Sequence, residues 1–185
     1  MEENYGRCAV KTIRVLQLGE VSPALISGLC EGLAKELSAT CELLAPAPDP
    51  SYAFHSGRQQ YCSTQILAAL ANRPMPAATR LLAVLSSDLF IPILTFVFGE
   101  AQMNGRCAVV STFRLRQEFY GLPPDSELLQ SRLIKESVHE IGHTLGIAHC
   151  DDYTCVMAPS HAVEWIDLKR PSFCEACRAA TLQAV

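Results

Sequence analysis

The sequence predicts an α+β domain. Three observations lead there: apolar runs of strand length through the first part of the chain, amphipathic helical stretches between them, and a longer helix-forming segment followed by a cysteine-rich tail without regular apolar periodicity. At 185 residues, with 49% apolar and 18% charged, the chain is one domain's worth and can bury a sizeable core. A formal charge of −4 and the absence of a dense Lys/Arg run argue against a nucleic-acid partner. The longest apolar stretch, residues 81–99, is interrupted by Ser86, Ser87, Asp88 and Pro92, which argues against a membrane span. The opening Met1-Glu2-Glu3-Asn4-Tyr5 lacks the basic and apolar regions of a secretory signal and predicts a cytoplasmic protein.

Taken in order, residues 11–18 alternate enough at Ile13, Val15, Leu16 and Leu18 to form a strand. Ser22 then caps a helix whose first turn holds Pro23, and Leu25, Leu29, Leu33 and Leu37 line one side of it. Residues 41–44 are a second strand candidate. Three prolines within residues 45–51 mark a loop, and residues 52–58 follow as a short strand and turn. Residues 63–71 form a second helix with Ile66, Leu67 and Leu70 inward. The continuous apolar run 81–85 reads as a buried central strand. Residues 95–98 and 107–112 are two further strands, joined by the turn-prone stretch 99–106. Asp125 or Ser126 caps the long helix, which runs to about Leu145 with Leu129, Leu133, Val138, Ile141 and Leu145 buried. Residues 175–182 form a terminal helix.

The chemistry concentrates at the end of the long helix, in His139-Glu140-Ile141-Gly142-His143-Thr144-Leu145-Gly146-Ile147-Ala148-His149. His139 and His143 lie one turn apart on one helix face and can reach a single metal ion. Glu140 sits about 100° round from His139, placed to take a proton from metal-activated water rather than to ligate. His149 would face away if the helix ran on, so the helix has to stop. Gly146 stops it, because glycine takes the left-handed conformation at a helix C-terminus without penalty. Three nitrogen ligands leave one position open, as a catalytic zinc requires.

Cys150, Cys155, Cys174 and Cys177 follow with a spacing close to that of a four-thiolate zinc knot, a closed and therefore structural site. Cys8, Cys30, Cys41, Cys62 and Cys107 have no ligand spacing and read as inert buried thiols; with an odd count of nine and no signal, disulfides are not expected. His55 and His161 have no metal-ligand spacing to another histidine and read as surface or hydrogen-bonded residues.

His139 to His149 with Met157 resembles the metzincin clan of zinc peptidases, and the four cysteines narrow the resemblance to the archaemetzincins. The likeness covers about residues 128–182, with weaker similarity over 88–115, including Phe96-Val97-Phe98-Gly99-Glu100-Ala101. The gap between Met157 and Cys174 is slightly shorter than the family pattern.

The resemblance implies a metzincin-like, twisted mixed β-sheet with an active-site helix and a small zinc-stapled C-terminal subdomain. Residues 1–146 would be the catalytic subdomain, and residues 147–185 would carry the third histidine, the methionine turn and the zinc knot. It also implies two zinc ions per chain, one catalytic on His139, His143 and His149, one structural on Cys150, Cys155, Cys174 and Cys177. The expected reaction is hydrolysis of peptide bonds in a peptide or protein substrate, with Glu140 as general base. Met157 would pack beneath the ligands without bonding the metal. By the same resemblance, Phe96-Val97-Phe98-Gly99 is the candidate edge that pairs with a substrate main chain. Tyr153 and His161 are candidates for an additional oxyanion donor. Two other readings compete. A low-turnover, zinc-stabilised binding module is disfavoured by an intact Glu140, which such a module would not need. A zinc-ribbon nucleic-acid binder is disfavoured by the missing basic face.

Overall fold

The computed structural model of the chain describes residues 10–183. Cys8 and the opening residues lie outside that range. Among the described residues, eight strands and five α-helices follow one another: β1 (Thr12–Leu18), α1 (Pro23–Leu37), β2 (Thr40–Leu43), β3 (Phe54–His55), β4 (Gln60–Cys62), α2 (Ser63–Ala71), β5 (Thr79–Leu85), β6 (Leu89–Phe90), β7 (Gly99–Ala101), β8 (Cys107–Ser111), α3 (Ser126–Thr144), α4 (Val163–Leu168) and α5 (Glu175–Gln183).

The main sheet has the order β2-β1-β5-β8-β7. Its first four strands are parallel, and only the edge strand β7 runs antiparallel to its neighbour, with Gly99 opposite Val110 and Ala101 opposite Ala108. It is the expected mixed sheet. Successive side chains of a strand point to opposite faces, and both faces here are covered. Ile13, Val15, Leu82, Val84, Ala108 and Val110 join Leu29 and Leu33 of α1 and Val138 and Ile141 of α3 in one buried cluster. Leu16, Leu18, Leu81, Ala83, Leu85 and Val109 join Ile66, Leu67 and Leu70 of α2 in the other. Strands β3, β4 and β6 make a separate small sheet.

The chain beyond Gly146 shares the first of these clusters: Ile147, Val156, Met157, Val163, Ile166 and Phe173 are buried in it. It is also tied by charge. Arg132 of α3, 5% exposed, donates to both carboxylate oxygens of Asp167 at 2.8 and 2.6 Å and to the Leu115 carbonyl at 2.9 Å. Arg132→Met strands the partly exposed Asp167 and is expected to cost about 2–3 kcal/mol in urea unfolding, below the full cost of splitting a wholly buried pair.

Two expectations are corrected. Residues 95–98 are not a strand: Val97 makes an isolated bridge to Leu89, and the strand begins at Gly99. The carbonyls of Leu94 and Thr95 are taken by the Arg58 guanidinium, that of Thr95 also by the Gln60 amide, and the Arg114 guanidinium covers the Phe96 ring at 4.1 Å. Side chains thus satisfy backbone groups that a ladder would otherwise hold. The second correction concerns cysteines. Cys30 and Cys41 form a disulfide, because α1 packs beside β2 and brings their Cα atoms to 5.5 Å. Cys62 and Cys107 are buried free thiols, as expected. Strands β4 and β6 and helix α4 were not anticipated; each is six residues or shorter, too short for a periodicity to register.

Candidate active site

Helix α3 carries the first three functional side chains. Its start is fixed by Asp125, whose Oδ1 accepts from the Leu128 N–H at 2.9 Å. Its end is fixed by Gly146 at φ 82°, with the Gly146 N–H on the His143 carbonyl at 2.9 Å and the Ile147 N–H on the Gly142 carbonyl at 3.2 Å. Asn104, from the turn between β7 and β8, also donates its N–H to the His143 carbonyl at 3.1 Å, and a Cβ on Gly146 would collide with its side chain. The chain turns back here, and His149 returns to the other two histidines, its ring 5.3 Å from His139 and 5.0 Å from His143.

The three rings offer nitrogens that all lie within 4.8 Å of one another. The hydrogen bonds behind them test whether a metal fits. His139 Nδ1 lies 2.8 Å from the Val156 carbonyl and His143 Nδ1 lies 2.8 Å from the Ile147 carbonyl. A carbonyl can only accept, so both Nδ1 atoms carry the proton. Both Nε2 atoms are then bare lone pairs in the neutral ring, and they face each other at 3.0 Å. Two acceptors so placed repel unless a cation lies between them, so the donor set fits a metal ion. Burial, with Lys169 next, holds His139 well below the usual histidine range, and burial lowers His143 and His149 as well. All three favour the neutral form that ligates.

The four thiols of Cys150, Cys155, Cys174 and Cys177 likewise lie within 4.8 Å of one another. Cys155 Sγ accepts the backbone N–H groups of Met157 at 3.4 Å and Cys174 at 3.3 Å, bonds that suit a thiolate. Burial pushes the Cys177 thiol up, and Cys174 and Cys150 add to the rise. A divalent cation reverses that balance. Met157 is fully buried against α3, where Gly142 makes room for it: a Cβ there would run into Met157 Sδ and sit 3.1 Å from the Phe173 ring.

Glu140 is 5% exposed and faces the same cleft of about 320 Å³ as the three histidines. Burial raises its carboxyl well above the usual range, with Glu136 and Glu100 adding to the rise and Lys169 opposing it. The opposite wall is the edge strand β7, where Glu100 accepts from Ser63 Oγ at 2.5 Å and from Thr64 Oγ1 at 3.0 Å. Gly99 sets the gap: a Cβ there would lie 2.8 Å from Glu140 Cγ and 2.8 Å from the Val109 carbonyl. Gly99→Ala therefore displaces Glu140, and kcat of any reaction using that carboxylate is expected to fall about 10–100-fold with metal content unchanged, read by steady-state kinetics beside metal analysis.

The structure brings His139, His143 and His149 together with Glu140 in one cleft, gathers Cys150, Cys155, Cys174 and Cys177 in a second cluster, and packs Met157 on Gly142. The stretch Phe96 to Gly99 is not an edge strand; the edge of the sheet is β7, Gly99–Ala101, although Val97, Phe98 and Gly99 do line the cleft. Tyr153 lines a different hollow, with Trp165 and Leu168, whereas His161 lines the cleft itself. Glu136 was missed, though its place one turn before Glu140 put it on the same helix face. Glu100 was quoted within a family-like stretch without a role. Lys169, 4% exposed beside them, had no sequence signal.

The model of peptidase family M54 matches residues 76–183. The archaemetzincin of Methanocaldococcus jannaschii is 38% identical over 168 residues, 91% of each chain. The crystal structure of archaemetzincin from Methanopyrus kandleri superposes with a TM-score of 0.82 at 32% identity over 97% of both chains. That of a zinc-dependent peptidase from Methanocorpusculum labreanum gives 0.83 at 29% identity, covering 91% of this chain and 99% of the other.

Proposed function

The chain belongs to peptidase family M54 and is a metallopeptidase, and on that premise we propose that it cleaves peptide bonds with zinc held by His139, His143 and His149 and with Glu140 as general base. One observation carries the proposal: the two facing, unprotonated Nε2 atoms with the Glu140 carboxylate in the same cleft. When bound there, zinc supplies a Lewis acid for the scissile carbonyl and makes water acidic enough to lose a proton near pH 7. Glu140 accepts that proton and passes it to the leaving amine. The Val156 and Ile147 carbonyls keep His139 and His143 in the ligating tautomer. The substrate main chain adds along the free edge of β7, and His161 is the remaining candidate for an oxyanion donor.

Cys150, Cys155, Cys174 and Cys177 hold a second, structural zinc, giving two per chain. The division at Gly146 belongs to the same proposal, with residues 1–146 supplying sheet, α3 and base, and residues 147–185 supplying His149, Met157 and the knot. So does a cytoplasmic site of action, against which the Cys30–Cys41 bond weighs. Among the described residues, no helix is long and apolar enough to cross a membrane.

The test is metal analysis together with cleavage of a peptide library before and after chelation. Two zincs per chain and cleavage that chelation abolishes and zinc restores is the expected result. Two zincs without any cleavage would favour the binding module.

A further inference from the structure

Beside the histidine cleft lies a second hollow of about 220 Å³. Tyr153, Trp165 and Leu168 line it, all three exposed to solvent, together with Cys150, Ala158 and Pro159. Large apolar side chains gathered round a concavity and left open to water mark a place that a partner covers. Hydrolysis at the three histidines uses none of them. The volume falls below the roughly 300–1,000 Å³ of a small-molecule site and suits a single side chain instead.

What fills it follows from how hollow and cleft are joined. His149 lines the cleft, and its neighbour Cys150 lines the hollow. Ala158 lines the hollow, Ser160 and His161 line the cleft, and Pro159 between them lines both. Consecutive Cα atoms are about 3.8 Å apart, so the divide is thin along both segments. The rings of His161 and Trp165, one from each side, meet edge to face with 5.2 Å between centroids. An extended peptide advances about 3.3 Å per residue and therefore passes from the cleft over Pro159 within a few residues.

We propose that this hollow is a subsite for one large apolar side chain of the peptide substrate, aromatic or aliphatic, a few residues from the bond that is cut. The proposal rests on the peptidase reading of the neighbouring cleft. The walls decide the class. An apolar side chain seated there takes its own surface and that of Tyr153, Trp165 and Leu168 out of water, which a small polar one does not. Asp151, exposed and also lining the hollow, repels an acidic one.

The experiment uses the zinc-loaded protein and a tryptophan-free peptide in which Leu replaces Ser at each position in turn. At one position near the cut, kcat/KM should favour Leu by about tenfold or more, the worth of burying such a side chain. Tyr153→Ser/Leu168→Ser changes two exposed positions, where polar substitutions leave the fold intact, and should bring that one ratio close to unity. Apolar preferences that the double variant leaves at full size belong to the cleft, and finding only those would overturn the subsite. So would a preference for Lys over Leu at the sensitive position. Trp165 is the only tryptophan in the chain, so its emission reports the hollow directly. Binding of the Leu peptide to zinc-loaded Glu140→Ala should shift that emission to the blue, and the Ser peptide should not. A shift that depends on protein concentration without peptide would give the hollow to a second copy of the chain and overturn the proposal. A Leu-dependent shift with no cleavage by the intact protein would sink the peptidase reading and uphold the hollow as a peptide site. Cleavage with no Leu-dependent shift would do the reverse.

Discussion

Glu140→Ala is expected to lower peptide cleavage by about 10²–10⁴-fold, the usual contribution of a positioned general base, while zinc stays at both sites. The expectation rests on where the carboxylate is. Glu140 neighbours His139 in sequence, but the helical turn carries its side chain round to the wall that faces Gly99 of β7. The three imidazoles are held by other means, through the Val156 and Ile147 carbonyls and the turn at Gly146. Nothing in that support passes through Glu140. Removing it also removes a buried carboxyl whose ionised form is disfavoured by burial and by Glu136 and Glu100, so the fold should not suffer. Kinetics on a cleaved peptide, beside metal analysis of the same sample, decide the matter. Loss of zinc along with activity would make Glu140 a ligand, and unchanged kcat would remove it from the reaction.

The two clusters of candidate metal ligands were legible because their logic is local. His139 and His143 are one turn apart, Gly146 can only be a stop, and four cysteines at knot spacing leave little else to do. The structure brings each set within 4.8 Å. The buried centre of the sheet was legible too, since a strand such as β5, buried on both faces from Leu81 to Leu85, must be apolar there. What could not be read depends on contacts between distant segments. The stretch 95–98 has strand-like residues, yet Arg58, Gln60 and Arg114, all far away in sequence, take the carbonyl of Thr95, that of Leu94 just before it and the ring of Phe96. The Cys30–Cys41 bond follows from the packing of α1 beside β2, and no spacing of eleven residues announces it. Lys169 comes within 3.7 Å of Glu136 because Arg132 and Lys135 dock α4 against α3, Lys135 Nζ donating to the Ile166 carbonyl at 3.1 Å.

Cys150→Ser is expected to empty the cysteine site and also to weaken zinc binding at the three histidines by about 10–100-fold, the range found when groups that orient metal ligands are disturbed. The path is short and made of named bonds. Cys150 follows His149 directly, and its N–H donates to the Met157 carbonyl at 3.0 Å. The Met157 N–H in turn donates to Cys155 Sγ, a second member of the knot. Between Cys155 and Met157 stands Val156, whose carbonyl fixes the tautomer of His139. One loop, residues 155–157, thus carries a knot thiol, the carbonyl behind a histidine and the methionine that packs on Gly142. When the knot loses its metal, four thiols gathered within 4.8 Å lose the charge that held them together, and the loop loses its anchor. His149 and the Val156 carbonyl then sample positions that no longer suit a shared ion. Competition with a chelator of known affinity, run on the variant and on the intact protein, gives the two zinc affinities separately. Cys177→Ser, at the far end of the knot and remote in sequence from every histidine, should weaken the histidine site in the same way if the coupling runs through the second metal. A variant that loses the knot zinc and binds the other with unchanged affinity would show the two sites to be neighbours without mechanical connection.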